Sequence, residues 1–441
     1  MTTIDVAVYR QRRQRLLADI HDGVVVLATA PERIRNRDNH YPYRFDSYFY
    51  YLTGFTEPDA VLVMHGESGR SVLFCRPRDA EREIWDGFRY GPEAAQAGFG
   101  FDEAFPLAEL DQQLPILLSN QRVLYCLIGD DLTWDQRVLG WLNTVRTQAR
   151  SGVSAPTEIH DVRRLLDAMR VIKDEAEMAT LQRSADIACV AHQRAMSVTR
   201  PGMAEYQIEA EILHTFRSRG AQAPAYTSIV AGGAHACVLH YIDNSAMLRD
   251  GELVLIDAGC ELDGYASDIT RTFPINGHFN GAQRDVYACV LAAQEAALAA
   301  VRPGASWLAA HEAAVRVLAQ GMLDWGLLSG GVEGVIESGA YKRFYMHRTG
   351  HWLGLDVHDV GEYKQAGAWR RLELGMVLTV EPGCYIAAAQ DVPEAFHGMG
   401  VRIEDDVCIT ADGCRVLTDA APKKIADIEA LMAMQQDSYH V

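Results

Sequence analysis

Residues 252–273 read ELVLIDAGCELDGYASDITRTF, and this stretch decides the fold of the second half of the chain. A continuous apolar run, residues 253–256, leads up to Asp257, glycine-containing turn residues follow, and a second strand-like run carries Asp268. The pattern predicts a hairpin with Asp257 at the end of one strand and Asp268 in the middle of the next. There Asp268 would share a face with Ala266 and Thr270. Because an acidic side chain on the apolar side of a sheet is costly unless a cation neutralises it, the hairpin predicts a site where two carboxylates converge.

The same layout occurs again near the C-terminus. Residues 375–381, GMVLTVE, end an apolar strand on Glu381, and residues 401–409, VRIEDDVCI, carry Glu404 inside another. One such acid alone is typical of a solvated strand end. Four acids embedded in apolar strands of one region instead indicate a shared site, and helix-length segments between the two pairs predict a pseudo-duplicated α+β domain.

Histidines lie between the two acidic pairs. Residues 346–359, MHRTGHWLGLDVHD, place His347, His351 and His358 in one glycine-containing segment. Carboxylates with a single imidazole suit Mn²⁺, Mg²⁺, Co²⁺ or Fe²⁺ better than metals that prefer thiolates. Five ligands can hold two metal ions, about 3.5–4 Å apart, only if at least one carboxylate bridges them, and such a pair can activate water and polarise a carbonyl.

Composition excludes several classes of function. The chain has 441 residues, and 59 acidic against 41 basic residues give a net charge of −18, which makes nucleic acid an improbable partner. No apolar run is long enough for a membrane span, and the N-terminal 20 residues are typical of an amphipathic helix rather than a signal peptide. Nine cysteines without a CxxC pair indicate buried free thiols in a reducing cytoplasm.

The first 170 residues alternate short apolar strands with helix-length segments, which favours an α/β layer without a nameable site. The aromatic segment 45–55 is interpreted as a packed strand and turn. Asp174 and Glu177 then form a capping pattern that opens a helix, and a second helix is predicted from Glu205. We therefore expect two domains, residues 1–172 and 173–441.

Two other catalytic patterns are excluded. His311 and Glu312 begin like a zinc-protease helix, but Val315 stands where the second histidine of HExxH would be. His311 is accordingly interpreted as a helix-surface residue. No GxSxG sequence supports a serine nucleophile.

These motifs together resemble those of the pita-bread metallopeptidases, and within that group of aminopeptidase P (Xaa-Pro aminopeptidase). The C-terminal likeness rests on LIDAG (255–259), SDITRTF (267–273), GHWLGLDVHD (350–359), TVEPG (379–383) and VRIED (401–405). YPYR (41–44) and YLTGF (51–55) resemble the creatinase-type N-terminal domain of the same family. The resemblance covers nearly the whole chain and implies an α/β N-terminal domain followed by an α+β pita-bread catalytic domain.

The resemblance implies roles for the five candidate metal ligands. Asp257 would bind one metal ion, Asp268 and Glu404 would bridge two ions, and His351 and Glu381 would complete the second site. Glu381 would also accept a proton from the bridging water. The implied cofactor is a pair of divalent ions, with Mn²⁺ expected and Co²⁺ or Zn²⁺ as alternatives.

The resemblance also implies substrate contacts. His240, in VLHY (238–241), would hold the substrate and stabilise the oxyanion, and His358 would contact the scissile carbonyl or the proline side. Other residues are expected to line the site: His347, Tyr363, Tyr385 and Arg402. Trp85 resembles a residue that a neighbouring subunit contributes, and Arg150 is a weaker candidate for the same role.

The activity implied is hydrolysis of the first residue from peptides with proline in second position, by a cytoplasmic homo-oligomer (dimer or tetramer) without nucleic-acid or membrane partners. The nearest alternative is prolidase, an Xaa-Pro dipeptidase with the same ligands, which would need an added cation for the free proline carboxylate. Creatinase lacks the full ligand set. A non-catalytic pita-bread interaction module has no need for buried acids.

Overall fold

A computed structural model describes residues 4–20 and 22–436 of the chain. It divides into two compact units, Met1–Met169 and Arg170–Val441. The division expected from the sequence lies after residue 172, and the side chains of Arg170 and Lys173 both contact Asp359 in the second unit.

The N-terminal unit is an α/β layer. Its elements are α1 (Val6–Asp19), β1 (Gly23–Ala28), β2 (Ile34–Asn36), β3 (Asn39–His40), α2 (Ser47–Thr53), β4 (Val61–His65), β5 (Ser71–Cys75), α3 (Ala80–Asp86), α4 (Gly91–Phe99), β6 (Glu103–Pro106), α5 (Leu110–Leu118), β7 (Val123–Cys126), α6 (Leu132–Arg146), β8 (Glu158–Asp161) and α7 (Arg163–Arg170). Six strands form one mixed sheet in the order β6-β5-β4-β1-β7-β8. Its core packs the apolar faces of β1, β4, β5 and β7 against α5 and α6.

The predicted helix within the N-terminal 20 residues is observed as α1, and Met1–Thr3 lie outside the described residues. The interpretation of segment 45–55 as a strand and turn was wrong, because it contains α2. The Asp46 side chain accepts a hydrogen bond from the Phe49 N–H, and Gly54 ends the helix in the left-handed region at φ 65°. Capping residues at both ends therefore outweigh the strand preference of the aromatic residues.

The C-terminal unit is α+β. Its elements are α8 (Glu175–Val198), α9 (Glu205–Ser218), β9 (Ala223–Pro224), β10 (Ile229–Gly232), β11 (Leu253–Asp257), β12 (Cys260–Leu262), β13 (Tyr265–Ala266), β14 (Thr270–Pro274), α10 (Gly281–Ala300), α11 (Ala309–Asp324), α12 (Val332–Ser338), β15 (Lys364–Gln365), β16 (Ala368–Trp369), β17 (Val377–Val380), β18 (Gly383–Ile386), β19 (Met399–Arg402), β20 (Asp405–Ile409), β21 (Cys414–Val416) and α13 (Ile425–Gln436). The predicted capping box at the start of α8 is present, with Asp174 and Glu177 bonded reciprocally.

The strands of this unit form small antiparallel sheets rather than one large one. β11 lies between β10 and β14, β20 lies between β17 and β21, and β18 pairs with β19. Helices α8, α9, α10 and α11 contribute to one apolar core with the strands. No helix within the described parts of the chain is both long and apolar enough to cross a membrane.

Candidate active site

The first carboxylate hairpin, residues 253–274, is more elaborate than the sequence predicts. β11 pairs with β14, so that Asp257 lies opposite Thr270, whereas β13 pairs with β12. Asp268 was expected in the middle of a strand and instead lies in the break between β13 and β14. The break has a structural cause at Gly259, where a Cβ atom would lie 1.6 Å from the Ser267 carbonyl oxygen. Asp268 directly follows this close crossing, and its Oδ1 shares the Tyr226 hydroxyl with Oδ1 of Asp257.

The second carboxylate hairpin, residues 377–409, repeats this arrangement. β17 pairs with β20, and β18 pairs with β19. Glu381 directly follows β17, and Glu404 lies in the break between β19 and β20 rather than inside a continuous strand. A strand break therefore places one carboxylate of each pair.

The histidine segment runs beside β17. The Thr379 N–H donates to the His351 carbonyl oxygen at 2.9 Å, and the Glu381 N–H donates to the Thr349 carbonyl oxygen at 2.8 Å. Gly350 allows this approach, because a Cβ atom there would lie 2.1 Å from the Thr379 carbonyl oxygen. The pairing brings the His351 side chain to the acids of both hairpins.

The acids and His351 converge on one cleft of about 510 Å³ in the C-terminal unit. One ligand atom from each of Asp268, His351 and Glu404 lies within 4.8 Å of the others. His351 Nε2 is 3.4 Å from Asp268 Oδ2 and 3.9 Å from Glu381 Oε1. Asp257 joins the group through Tyr226, whose hydroxyl lies within hydrogen-bonding distance of Oδ1 of both aspartates. All five predicted ligands are therefore neighbours.

The acids of this cluster are difficult to ionise together. Burial and neighbouring carboxylates raise the pKa of Asp268 and Glu404, and they raise the pKa of Glu381 to about 7. Burial opposes the charged form of His351, but its contact with Asp268 and the charge of Glu381 outweigh burial and raise its pKa to about 9. A set of buried acids that repel one another in this way fits a divalent cation.

The orientation of the His351 ring also fits a metal ligand. Its Nδ1 lies 3.0 Å from the Trp352 carbonyl oxygen, to which it can only donate. Nε2 then faces the carboxylates with its lone pair available once a cation replaces the proton. A backbone carbonyl that fixes the tautomer in this way is typical of metal-binding histidines.

A chain of hydrogen bonds supports Asp257 from behind. The Arg402 guanidinium donates to Asp257 Oδ2 at 2.6 Å, to Thr270 Oγ1 at 3.0 Å and to the Tyr385 hydroxyl at 2.8 Å. The Tyr385 hydroxyl also contacts His347 Nε2 at 2.8 Å. Burial alone would raise the pKa of Asp257, but the Arg402 charge holds it below its usual value. Burial and Arg402 together lower the pKa of His347 to about 3, so that this ring is neutral.

The other predicted site residues fall into two groups. His240, His358 and Tyr363 line the cleft, and the rings of His351 and His358 are 4.3 Å apart. Tyr385 is buried and contacts His347 and Arg402, which line the cleft. Trp85 lies on α3 of the N-terminal unit with 84% of its surface exposed, so its role at a neighbouring subunit stays a prediction.

Sequence reasoning missed Tyr226 and Thr270. Thr270 Oγ1 donates to Glu404 Oε2 at 2.7 Å and thereby links the two hairpins. Tyr226 lies shortly before β10, whose Ile229 pairs with Asp257. On its other side, the Ala225 N–H donates to the Gly259 carbonyl oxygen at 2.9 Å, and Pro224 of β9 pairs with Cys260 of β12. These backbone pairings, which no sequence motif indicates, bring Tyr226 to the aspartates.

The interpretation of His311 as a surface residue was wrong. His311 is buried, and its Nδ1 lies 2.9 Å from Thr349 Oγ1, directly behind the His351 segment. Burial, together with the nearby charges of Arg348 and Lys342, lowers its pKa to about 4. Val315 is buried in the core, so this helix still offers no zinc ligand pair.

Comparisons with known proteins agree with this geometry. The profile of metallopeptidase family M24 matches residues 179–411, and that of the aminopeptidase P N-terminal domain matches residues 9–125. Xaa-Pro aminopeptidase of Escherichia coli is 46% identical over 98% of this chain and 99% of its own length. Human Xaa-Pro aminopeptidase 3 is 33% identical over 96% of this chain and 85% of its own length.

Solved structures give the same result. The structure of Pseudomonas aeruginosa aminopeptidase PepP matches with a TM-score of 0.97 at 49% identity, over 99% of this chain and 100% of that one. Zn-substituted E. coli aminopeptidase P in complex with product matches with a TM-score of 0.96 at 45% identity, over 98% and 99%. The predicted fold, an α/β N-terminal domain followed by a pita-bread catalytic domain, is confirmed. The chain therefore belongs to metallopeptidase family M24 and, within it, to the Xaa-Pro aminopeptidases.

Proposed function

We propose that this chain removes the N-terminal residue from peptides with proline in second position, using two divalent metal ions. The observation that carries the proposal is the convergence of four carboxylates and one imidazole on a single cleft. The relatives described above are Xaa-Pro aminopeptidases, which favours this activity over a dipeptidase or a non-catalytic module.

The proposed ligands divide between two metal positions. Asp257 would hold one ion, His351 and Glu381 the other, and Asp268 and Glu404 would bridge. When bound, the ions supply Lewis-acid polarisation of the scissile carbonyl and activation of the attacking water. Carboxylates with one imidazole favour Mn²⁺, with Co²⁺ or Zn²⁺ as alternatives.

Glu381 is proposed to accept the proton of the attacking water. Its carboxylate faces the cleft, and Oε2 lies 3.6 Å from His347 Nδ1. A carboxylate that faces the cleft is placed to accept a proton from a water molecule attacking the scissile carbonyl.

His240 and His358 are proposed to act on the substrate. Both line the cleft, and His240 is exposed to solvent. The amide before proline is tertiary and has no N–H, so a protease cannot grip it as an ordinary extended strand. Hydrogen-bond donors around the developing oxyanion would supply the remaining stabilisation.

The setting of the enzyme is also a proposal. We infer a cytoplasmic homo-oligomer, dimer or tetramer, with Trp85 reaching a neighbouring subunit. The exposure of Trp85, together with Ile84 and Phe88 beside it, supports this inference. Peptides are the expected partners, and the net charge of −18 disfavours nucleic acid.

A peptide panel assayed with Mn²⁺ tests the activity. It compares an Xaa-Pro dipeptide, an Xaa-Pro-Yaa tripeptide and a longer Xaa-Pro peptide, with an Xaa-Ala-Yaa tripeptide as the control. We expect the tripeptide and the longer peptide to be cleaved faster than the dipeptide, and the alanine control slowly. A dipeptide cleaved much faster than every longer peptide would assign the chain to the dipeptidases instead.

A further inference from the structure

Glu205, the first residue of α9, is a fully buried carboxylate outside the candidate metal site. Its Oε1 accepts hydrogen bonds from the Gly232 N–H at 2.8 Å and from His235 Nδ1 at 3.2 Å. Its Oε2 accepts from the Tyr241 hydroxyl and from the Ala246 N–H, both at 2.8 Å. Each carboxylate oxygen is therefore satisfied by two donors.

The charge of Glu205 is offset without a fixed cation. Among the described residues, no lysine or arginine forms an ion pair with it, and its one such partner is His235. Two backbone N–H groups, the positive end of α9 and a phenol supply the remaining stabilisation. Removing a buried carboxylate with this many donors would leave several of them unsatisfied.

All four donors belong to one segment of the chain, residues 232–246. Its first residue, Gly232, ends β10, and residues 233–246 contain no strand and only one short 3₁₀ turn, Gly233–Cys237. The ring of His235 stacks on that of Tyr241 at 4.4 Å, which joins two of the donors. The segment is therefore held mainly by side-chain contacts rather than by regular secondary structure.

This segment carries His240. Tyr241, the next residue, is buried and bonded to Glu205, whereas His240 itself is exposed and lines the cleft. Asn244 supplies a second anchor, because it accepts from the Val230 N–H and donates to the Ser228 carbonyl oxygen. The donors that contact Glu205 lie on both sides of His240 in the sequence, at 232 and 235 before it and at 241 and 246 after it. Glu205 therefore fixes the segment on both sides of His240.

We propose that Glu205 is a positioning residue, which with His235 and Tyr241 holds the 232–246 segment so that His240 meets the substrate. This inference rests on the proposed function, in which His240 contacts the substrate or the oxyanion. Small displacements of such a donor are costly, because its stabilisation depends on preorganised geometry.

The test is Glu205→Gln, which keeps the size of the side chain but places an NH₂ group where two donors already point. Its matched control is Glu177→Gln. Glu177 is also a buried carboxylate in the first turn of a helix of this unit and also accepts from a tyrosine hydroxyl, that of Tyr265. We expect Glu205→Gln to lower kcat by about 10- to 100-fold with normal metal content, and the control to lower only thermal stability.

A double-mutant cycle separates positioning from general destabilisation. Combined with His240→Ala, Glu205→Gln should lower kcat no further, because it acts through His240. Multiplying effects in the double variant would overturn the proposal. Tyr241→Phe, which removes one donor and is the milder change, should show the same non-additivity with a smaller loss, so the proposal stays testable if Glu205→Gln does not fold.

Amide hydrogen exchange of wild type and variant gives a readout independent of activity. Faster exchange confined to 232–246 in Glu205→Gln would support the proposal, and unchanged exchange there would overturn it. A fully active His240→Ala would instead overturn the role of His240 and this inference with it. If Glu205→Gln is fully active while His240→Ala is impaired, the inference fails and the proposed function stands.

Discussion

The two carboxylate hairpins have the same order of strands but offset their charges differently. In each, the outer strands pair with one another, the inner strands pair with one another, and one acid lies at the break before the last strand. In the first hairpin Asp257 has a fixed cation, Arg402, at 2.6 Å. In the second, no arginine or lysine within the described chain forms an ion pair with Glu381 or Glu404.

The cation of the first hairpin comes from the second. Arg402 is the last residue of β19, and Thr270 of the first hairpin in turn donates to Glu404. The Glu404 N–H also donates to the Thr270 carbonyl oxygen at 3.1 Å. Each hairpin is thus completed by the other, and neither alone would make the site.

This difference between the hairpins indicates which acids depend on a cation from solution. The pKa of Asp257 is held low despite burial, whereas burial and neighbouring carboxylates raise the pKa of Asp268, Glu381 and Glu404. Asp257 is therefore ionised by the fold itself. The other three acids need a divalent cation to ionise together. Four experiments test this difference between the hairpins.

The largest effect is expected from removing one proposed bridging acid from each hairpin, Asp268→Ala and Glu404→Ala. Each should lower metal content per chain and reduce kcat/KM by about 10³-fold or more, because both ions lose a shared ligand. Elemental analysis beside steady-state kinetics measures both quantities. His240→Ala is the control, which should lose about 10²- to 10³-fold in kcat while retaining its metal. If either Ala variant kept two ions per chain, that acid would not be a bridge.

Removing the cation comes next. Chelation should abolish activity, and Mn²⁺ or Co²⁺ should restore it better than Ca²⁺, because closely bridging carboxylates favour small divalent ions. The metal should also raise the thermal unfolding temperature by relieving repulsion among Asp268, Glu381 and Glu404. At a hundredfold excess of metal over Kd, the free energy of unfolding should rise by about 2.7 kcal/mol. Full activity in exhaustively demetallated protein would contradict the dinuclear proposal.

Arg402→Met removes the difference between the hairpins. Asp257 then loses its fixed cation, so the metal-free protein should be less stable by about 1–3 kcal/mol. Bound metal should compensate in part, so the rise in unfolding temperature on adding Mn²⁺ should be larger in the variant than in wild type. The control is Arg343→Met, whose partner Asp391 is exposed. An equal metal-dependent rise in both variants would mean that Arg402 does not offset the charge of Asp257.

The smallest effect concerns the helix behind the first hairpin. His192 on α8 is fully buried, with Nε2 2.9 Å from the Ala258 carbonyl oxygen, and burial lowers its pKa from 6.5 to about 4. Below pH 6.5, His192 binds a proton in the unfolded chain but stays neutral in the folded chain. The contribution of His192 to the free energy of unfolding is therefore fully present above pH 6.5 and is lost as the pH falls towards 4. The loss should reach about 2 kcal/mol at pH 5.

His192→Gln keeps an N–H donor for the Ala258 carbonyl oxygen but cannot titrate. Unfolding temperatures of wild type and variant at pH 7 and pH 5 measure the effect, and the variant should lose less on acidification. Equal losses in the two proteins would show that His192 does not contribute to the acid sensitivity.

Local patterns predicted the parts of the site that local forces determine. The apolar strands that lead to Asp257 and Glu381 follow from short runs of apolar residues, and the capping box of α8 follows from hydrogen bonds within a few residues. The sequence correctly placed Asp268 and Glu404 near the other candidate ligands. It was wrong in placing them within continuous strands, because each lies in a break between two strands. The exchange of strand partners at Asp268 depends on how Gly259 passes Ser267, and the segment itself gives no periodic sign of that contact.

Two errors have the same physical origin. The aromatic segment 45–55 was assigned by strand preference, although Asp46 and Gly54 were both available as helix caps. His311 was assigned to the surface because its own helix offers no second metal ligand, yet Thr349, from elsewhere in the chain, gives it a buried hydrogen-bond partner. Preference and local pairing are weak guides where a distant residue completes the hydrogen bonds.

The sequence by itself determined the ligand types, their order along the chain and the resemblance to a metallopeptidase family, because these depend on residue identity and spacing. Tertiary structure alone decided that Arg402 neutralises Asp257, that Tyr226 joins two aspartates, and that Glu205 holds the segment of His240. Each of these contacts joins residues more than 30 positions apart. Charge compensation in a buried site depends on distances of a few ångströms, which only the packed fold fixes.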